Sequence, residues 1–236
     1  MRMKRVLLAS SALTLLAAMG EAQARDLYVS VLGGANWFDG SSDVTGNGQT
    51  GHSIDGDTGF MLGAAIGTSL DRWQRGLRTE LEVSYRRNDL SGNWFSDLNP
   101  AGPDFDTDGG PVFGNHSTFA IMANLWYDID IGHKVRPYVG LGAGWARNHF
   151  EGAFFETFFN LTQPDSDLNE TRENDNTGFA WQLGIGLNYE VMAGVDAGLG
   201  YRYFEGPRTT TFFEGKRLRL DNDNHTVFVN VSVNID

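Results

Sequence analysis

The sequence predicts an all-β fold, an eight-stranded antiparallel up-and-down transmembrane β-barrel with four long loops at one end and short turns at the other. Three observations predict it. Apolar and polar residues alternate strictly in eight separate segments, the period-two signature of a strand with two unlike faces. Short and long connections alternate between those segments. Glycines crowd the polar face, while large aromatics gather at the ends of the apolar one.

The apolar faces come in chain order. Leu27, Val29, Val31, Ala35 and Trp37 form the first, and Phe60, Leu62, Ala64, Ile66 and Leu70 the second. The third carries Leu77, Leu81, Val83 and Tyr85, and the fourth Phe119, Ile121, Ala123, Leu125, Tyr127 and Ile129. Val139, Leu141, Ala143 and Trp145 make the fifth; Phe179, Trp181, Leu183, Ile185, Leu187, Tyr189 and Val191 make the sixth. Val195, Ala197, Leu199, Tyr201 and Tyr203 follow, then Val227, Val229, Val231, Val233 and Ile235. Short connections fall at Leu70–Arg75, at Gly132-His133 and at Met192-Ala193, whereas segments 39–55, 89–115, 150–176 and 205–223 are long and polar. An even count of strands of about ten residues, with this asymmetry of connections, fits a membrane barrel. Closure also leaves no unpaired strand edge in lipid.

A soluble eight-stranded ligand carrier shares the alternation but turns its apolar face inward. Three features place lipid outside instead. Gly140, Gly142, Gly144 and their counterparts sit on the polar face, where an eight-stranded lumen has room only for packed side chains; there they leave space for neighbouring Arg and Glu. Trp37, Phe60, Tyr85, Phe119, Trp145, Phe179 and Tyr201 collect at the long-loop end, with Tyr127 and Tyr189 at the other, as two interfacial girdles. Lysine, the usual surface residue of a soluble barrel, is nearly absent.

The chain opens MRMKRVLLASSALTLLAAMGEAQARD. Arg2, Lys4 and Arg5 precede an apolar run from Val6 to Met19, and Ala22-Gln23-Ala24 has the small-x-small pattern of a cleavage site, so residues 1–24 read as a secretory signal peptide. The barrel domain is then 25–236. Removing the leader takes three of 18 basic residues and one of 30 acidic ones, leaving a net charge of −14. Such an acidic chain excludes nucleic acid as a partner, since phosphates demand a basic face. The chain has no cysteine, which excludes disulfides and thiolate metal sites.

Inward-facing charges form a lumen network of Arg78, Glu80, Glu82, Arg86, Asp128, Glu190, Asp196 and Arg202. Buried ionisable groups must pair, so these read as a plug of salt bridges, with a selective pore as the alternative. Residues 104–109, DFDTDG, match the first half of a calcium loop and make Asp104, Asp106 and Asp108 candidate cation ligands. The closing glutamate of that loop is replaced by Asn115, so the match is incomplete; no other cofactor is expected. The loops also carry aromatic clusters, FEGAFFETFFN with Phe154, Phe155, Phe158 and Phe159, and TTTFFEG with Phe212 and Phe213. These offer a partner surface or pack together above the membrane.

YVGLGAGWA at 138–146 imitates a dinucleotide fingerprint, but that motif needs a strand-to-helix turn. Here the period of two puts all three glycines on one strand face. Enzymatic readings fare no better. A lipase or deacylase needs a serine activated by histidine; the histidines are His52, His116, His133, His149 and His225, most of them in loops or turns, and no Gly-x-Ser-x-Gly occurs.

Strand rhythm, loop asymmetry and textures such as VGLGAGW and LGYRYF resemble the eight-stranded outer-membrane β-barrel proteins, the group of outer-membrane protein A transmembrane domains and opacity-type surface antigens. The resemblance covers the mature chain. It implies a Gram-negative outer membrane, lipid and lipopolysaccharide as surroundings, the barrel assembly machinery as an assembly partner, and long loops outside the cell. The expected function is that of a small, non-enzymatic structural or surface-exposed interaction protein with a filled lumen. A narrow pore for ions or small solutes, or an adhesin acting through the aromatic loops, are the alternatives. The terminal TVFVNVSVNID alternates properly but ends on Asp236 where such barrels usually end on an aromatic.

Overall fold

The computed structural model describes residues 27–38, 42–45, 54–95, 109–154, 170–213 and 216–235. Twelve strands follow one another: β1 Leu27–Phe38, β2 Ser42–Thr45, β3 Ile54–Gly56, β4 Thr58–Ser69, β5 Leu77–Phe95, β6 Gly109–Asp128, β7 Val135–Phe154, β8 Glu170–Met192, β9 Val195–Glu205, β10 Thr209–Phe213, β11 Lys216–Leu220 and β12 Asp223–Ile235. Eight of them form the wall. Each pairs antiparallel with its sequence neighbour in the wall, and β1 pairs with both β4 and β12, which closes the barrel.

The alternation that predicts the strands also sets their sidedness. Val31, Leu62, Leu141, Ile185 and Val229 are each more than half exposed on the outer surface, a distribution that makes sense only with lipid there. The outer girdle of Trp37, Phe60, Tyr85, Phe119, Trp145, Phe179 and Tyr201 and the inner one of Tyr127 and Tyr189 all project outward. The short connections turn on glycines with positive φ: Gly76 at 82°, Gly132 at 72° and Gly194 at 77°, a region costly for any residue with a Cβ.

The wall is uneven. β5, β6, β7 and β8 run for 19, 20, 20 and 23 residues, while β1, β4, β9 and β12 have 11 to 13. The described ends of segments 89–115 and 150–176, expected to be loop, are therefore strand: 89–95, 109–115, 150–154 and 170–176. β8 continues from Phe179 out to Glu170, roughly 30 Å of strand beyond the girdle at about 3.3 Å per residue. Their polar composition hid them, because a strand standing in water has no apolar face to alternate. Above the short side, β2, β11 and β10 form a separate three-stranded sheet, and β3 adds to the edge of β5.

The inward glycines meet other fillers than Arg and Glu. A Cβ on Gly140 would collide with the Trp126 ring and the Leu125 carbonyl, on Gly142 with Asn124, on Gly67 with the Tyr28 ring, and on Gly200 with Phe228 and Tyr138. The expectation that these glycines make room for charged side chains is thus corrected: they make room chiefly for rings and amides, because aromatic volume fills the narrow interior. Gly140→Val is accordingly expected to abolish the folded, heat-modifiable band on unboiled gels, whereas Leu141→Val on the lipid face leaves it. A normal gel shift for Gly140→Val would refute this account of closure.

Candidate functional site: a layered lumen

The lumen fills in layers. Nearest the short turns, the Arg78 guanidinium donates twice to Asp128, at 2.7 and 2.9 Å, and Arg136 donates to Asp196 at 2.6 Å. Register places Arg78 and Asp128 on adjacent strands, β5 and β6. Arg78 also donates to the Tyr28 hydroxyl at 2.8 Å, and that hydroxyl donates to Glu80 at 3.0 Å. Glu80 accepts further bonds from the Asn124 amide and the Trp126 indole.

One level deeper, Arg202 Nη1 reaches both carboxylate oxygens of Glu82 at 2.7 and 2.9 Å, with both side chains sealed from solvent. Asn124 donates to Glu82, and Gln182 donates to Asn124. The Arg202 guanidinium lies 4.8 Å from the Phe228 centroid and 5.5 Å from that of Trp126. Arg86 comes next and differs from the other arginines. It stacks 4.0 Å from the Phe204 centroid and donates to Ser84, but its Nε and Nη2 find no hydrogen-bond acceptor among the described residues.

Above the charges lies a belt of neutral amides. Asn36 donates to Asn88 and Asn224, Asn224 to Asn222, Asn222 to Asn148, and Thr226 to Asn36. These residues are buried to 2% exposure or less. Phe38 and His116, with ring centroids 4.7 Å apart, together with the buried Leu90 and Phe150, continue the packing outward.

The structure thus gathers Arg78, Glu80, Glu82, Arg86, Asp128, Asp196 and Arg202 inside the barrel, as their parity on the strands requires. Glu190 stands at the rim, where β8 loses register with β9. Sequence reasoning missed Arg136, Tyr28, Trp126 and the asparagine belt. Trp126 and Tyr28 were concealed by apolar neighbours, as in IMANLWY, where both faces are hydrophobic and the period of two is hard to see. Asp104, Asp106 and Asp108 lie outside the described residues, as do Phe155, Phe158 and Phe159. Phe154 closes β7, and Phe212 and Phe213 close β10.

Outside the girdle, Asp175 accepts from Arg147 at 2.8 Å and faces His149 Nδ1 at 2.9 Å on the outer surface of the extended wall. Hydrogen bonds from Arg147, and then from His149, hold its carboxyl below the usual carboxylate range. A depressed carboxylate contributes above its unfolded value and loses that contribution as pH falls through the folded one.

The outer membrane protein beta-barrel domain profile matches residues 6–234, and the chain belongs to this family of outer-membrane barrels. Its fold is similar to that of the outer membrane protein OprG from Pseudomonas aeruginosa, at 15% identity over 89% of this chain and 97% of that one, with a TM-score of 0.51. It is also similar to the outer membrane protease OmpT from Escherichia coli, at 7% identity over 89% and 97% of the two chains, with a TM-score of 0.54. No curated protein is significantly similar to it in sequence. The protein is therefore a barrel of the Gram-negative outer membrane, with its short turns toward the periplasm.

Two outcomes follow. Glu82→Gln should lower stability by about 3–5 kcal/mol because Arg202 is left buried and unpaired, while Glu82→Gln combined with Arg202→Met should cost less than the two single changes added together. Urea unfolding in lipid vesicles, followed by tryptophan fluorescence, measures both; strict additivity would contradict the pairing. Acidification below the ordinary carboxylate value of 3.8 should release Arg147 and His149 with the barrel intact. Guanidinium and imidazole NMR signals unchanged at pH 2 would contradict that.

Proposed function

We propose that this barrel is a non-enzymatic structural and surface-exposed interaction protein whose lumen does not conduct. The observation that carries the reading is the stack of sealed layers: the Glu82–Arg202 pair, the Met122 and Phe204 cluster, the asparagine belt and the Phe38–His116 contact fill the bore. A solute would have to break a desolvated ion pair and then an amide network with no replacement partners.

The carboxylates inside are engaged by Arg, Tyr, Trp or Asn donors, which argues against general acid-base work. The likeness to a protease is one of fold alone, at 7% identity. What remains available is the tall wall of β5 to β8, which stands beyond the membrane on one side and is continuous in sequence with residues 96–108 and 155–169. Lipopolysaccharide around the girdle and an extracellular partner at this wall are the interactions it suits, with delivery by the barrel assembly machinery after residues 1–24 are removed.

Planar-bilayer recording tests the reading: the purified protein should show no steady openings. Openings that shift when Arg78 or Glu82 is neutralised would assign a pore instead. Replacing 155–169 with a short linker should leave folding unchanged and reduce binding of the cells to surfaces or host matrix; unchanged binding would remove that loop from the interaction. Mass spectrometry of the exported protein should find Arg25 at its N-terminus, and a retained leader would refute the cleavage site.

A further inference from the structure

The periplasmic end of the lumen is open where the outer end is filled. A cavity of about 410 Å³ is lined there by Arg75, Arg78 and Arg136 and by Asp71, Asp128, Asp130 and Asp196, with Tyr28, Asn188 and Ser232 deeper in. Three arginines face four aspartates, so the cup holds one negative charge in excess. Arg78 and Asp128 satisfy each other, and Arg75 and Asp130 meet at the exposed rim. Asp71 Oδ1 accepts the Gly76 N–H at 2.7 Å, and no arginine pairs with it among the described salt bridges.

The inner wall adds acceptors that have no donor. Asn188, 7% exposed, has an Oδ1 with no hydrogen-bond partner among the described residues, and so have Asp196 Oδ1 and Asn230 Oδ1. Register brings them together: Asn188, Gly198 and Asn230 are cross-strand neighbours on β8, β9 and β12, with Asp196 and Ser232 one row below. A Cβ on Gly198 would collide with both amide oxygens, so the missing side chain is what lets the two acceptors converge. Asn188 also lines a second cavity, of about 30 Å³, with Asn230 and Ser232 and with the charged Arg78, Glu80 and Arg202; at that volume it is too small to hold a ligand, which stays in the larger cup. Buried acceptors without donors cost about 1–3 kcal/mol each, and native interiors leave few of them unmet. Among the described residues the unmatched donors beside them are Arg136 Nε and, in the smaller cavity, Arg202 Nε.

We propose that this periplasm-facing cup is a binding site for a small alkyl diammonium ion. One ammonium head donates to Asn188 and Asp196, which line the cup, while Asn230 stands behind Asn188 in the smaller cavity. The other is drawn by Asp71 at the mouth, and the excess negative charge selects a cation over an anion or a neutral polyol. The layers above the cup make it blind, so the ligand enters and leaves on the periplasmic side.

The test uses the refolded protein in lipid nanodiscs, titrated with 1,4-diaminobutane, with butane-1,4-diol as neutral isostere and sodium chloride at matched ionic strength. The diamine should shift the backbone amides of Asn188 and Gly198 and the side-chain amide of Asn230 saturably, and diol and salt should not. Asn188→Leu, folded by gel shift, should bind roughly tenfold more weakly through loss of a charge-assisted hydrogen bond. Asp71→Asn, which keeps the oxygen that holds Gly76, should weaken binding by a smaller factor that vanishes at high salt. Shifts of equal size from the diol or from salt, or undiminished affinity in both folded variants, would overturn the proposal.

Discussion

The width of an eight-stranded barrel is the constraint from which the rest of this structure follows. Closing eight strands leaves a bore that side chains fill completely, so each inward position competes for the same small volume. Trp126 can occupy the axis because Gly140 and Gly184 give up their side chains beneath it, and Tyr138 because Gly186 and Gly200 do the same. Once rings and amides are seated, little room for water remains, and the charges that share the space are forced into direct contact. The bidentate Arg78–Asp128 pair and the sealed Glu82–Arg202 pair are consequences of that crowding as much as of attraction.

A buried pair is weak evidence for stability, because desolvating two ions costs about as much as their attraction returns. Here it does something else. Asn124 links Glu80 to Glu82, and Gln182 holds Asn124, so β5, β6, β8 and β9 are tied through one network whose geometry allows a single register. Slipping any of these strands by one residue would turn its apolar face inward and its lumen charges into lipid. Arg86, stacked on Phe204 with two nitrogens unmatched, is the member of that network left with least direct compensation; Glu82, four residues before it on the same strand face, supplies the nearest opposite field.

How much of this was legible depended on contrast between faces. Where one face is apolar and the other polar, as in Leu77–Arg86, the period of two gave strand, sidedness and lumen residues together. Where both faces are apolar, as around Met61, Met122 and Trp126, the strand was visible but its inward residues were not, and the role of aromatics as lumen filler was missed. Where both faces are polar, as in 170–176, no alternation marks the strand and the sequence reads as loop. Membrane is what writes the alternation into the sequence; beyond the girdles that selection ends and so does the signal. Pairings between distant strands, such as Thr226 with Asn36 or Arg136 with Asp196, need register that no local pattern supplies.

The same logic separates the two ends of the lumen. In the belt above Glu82–Arg202 and Arg86, polar demand is met by neighbours of the same kind: amide donors and acceptors alternate from Asn36 through Asn224 and Asn222 to Asn148, which donates in turn to the Pro207 carbonyl. Below it, among the described residues, the three unmatched acceptors of Asn188, Asn230 and Asp196 outnumber the two unmatched donors beside them, Arg136 Nε and Arg202 Nε. A wall built only to plug would match its donors and acceptors at both ends. Arg86 and Gln182 also carry unmatched atoms in the middle of the bore, but only at the periplasmic end do unmatched acceptors border an open cavity, beside a glycine whose absent side chain holds the space clear; this is the reason for treating the inner cup as a site and the outer belt as a seal.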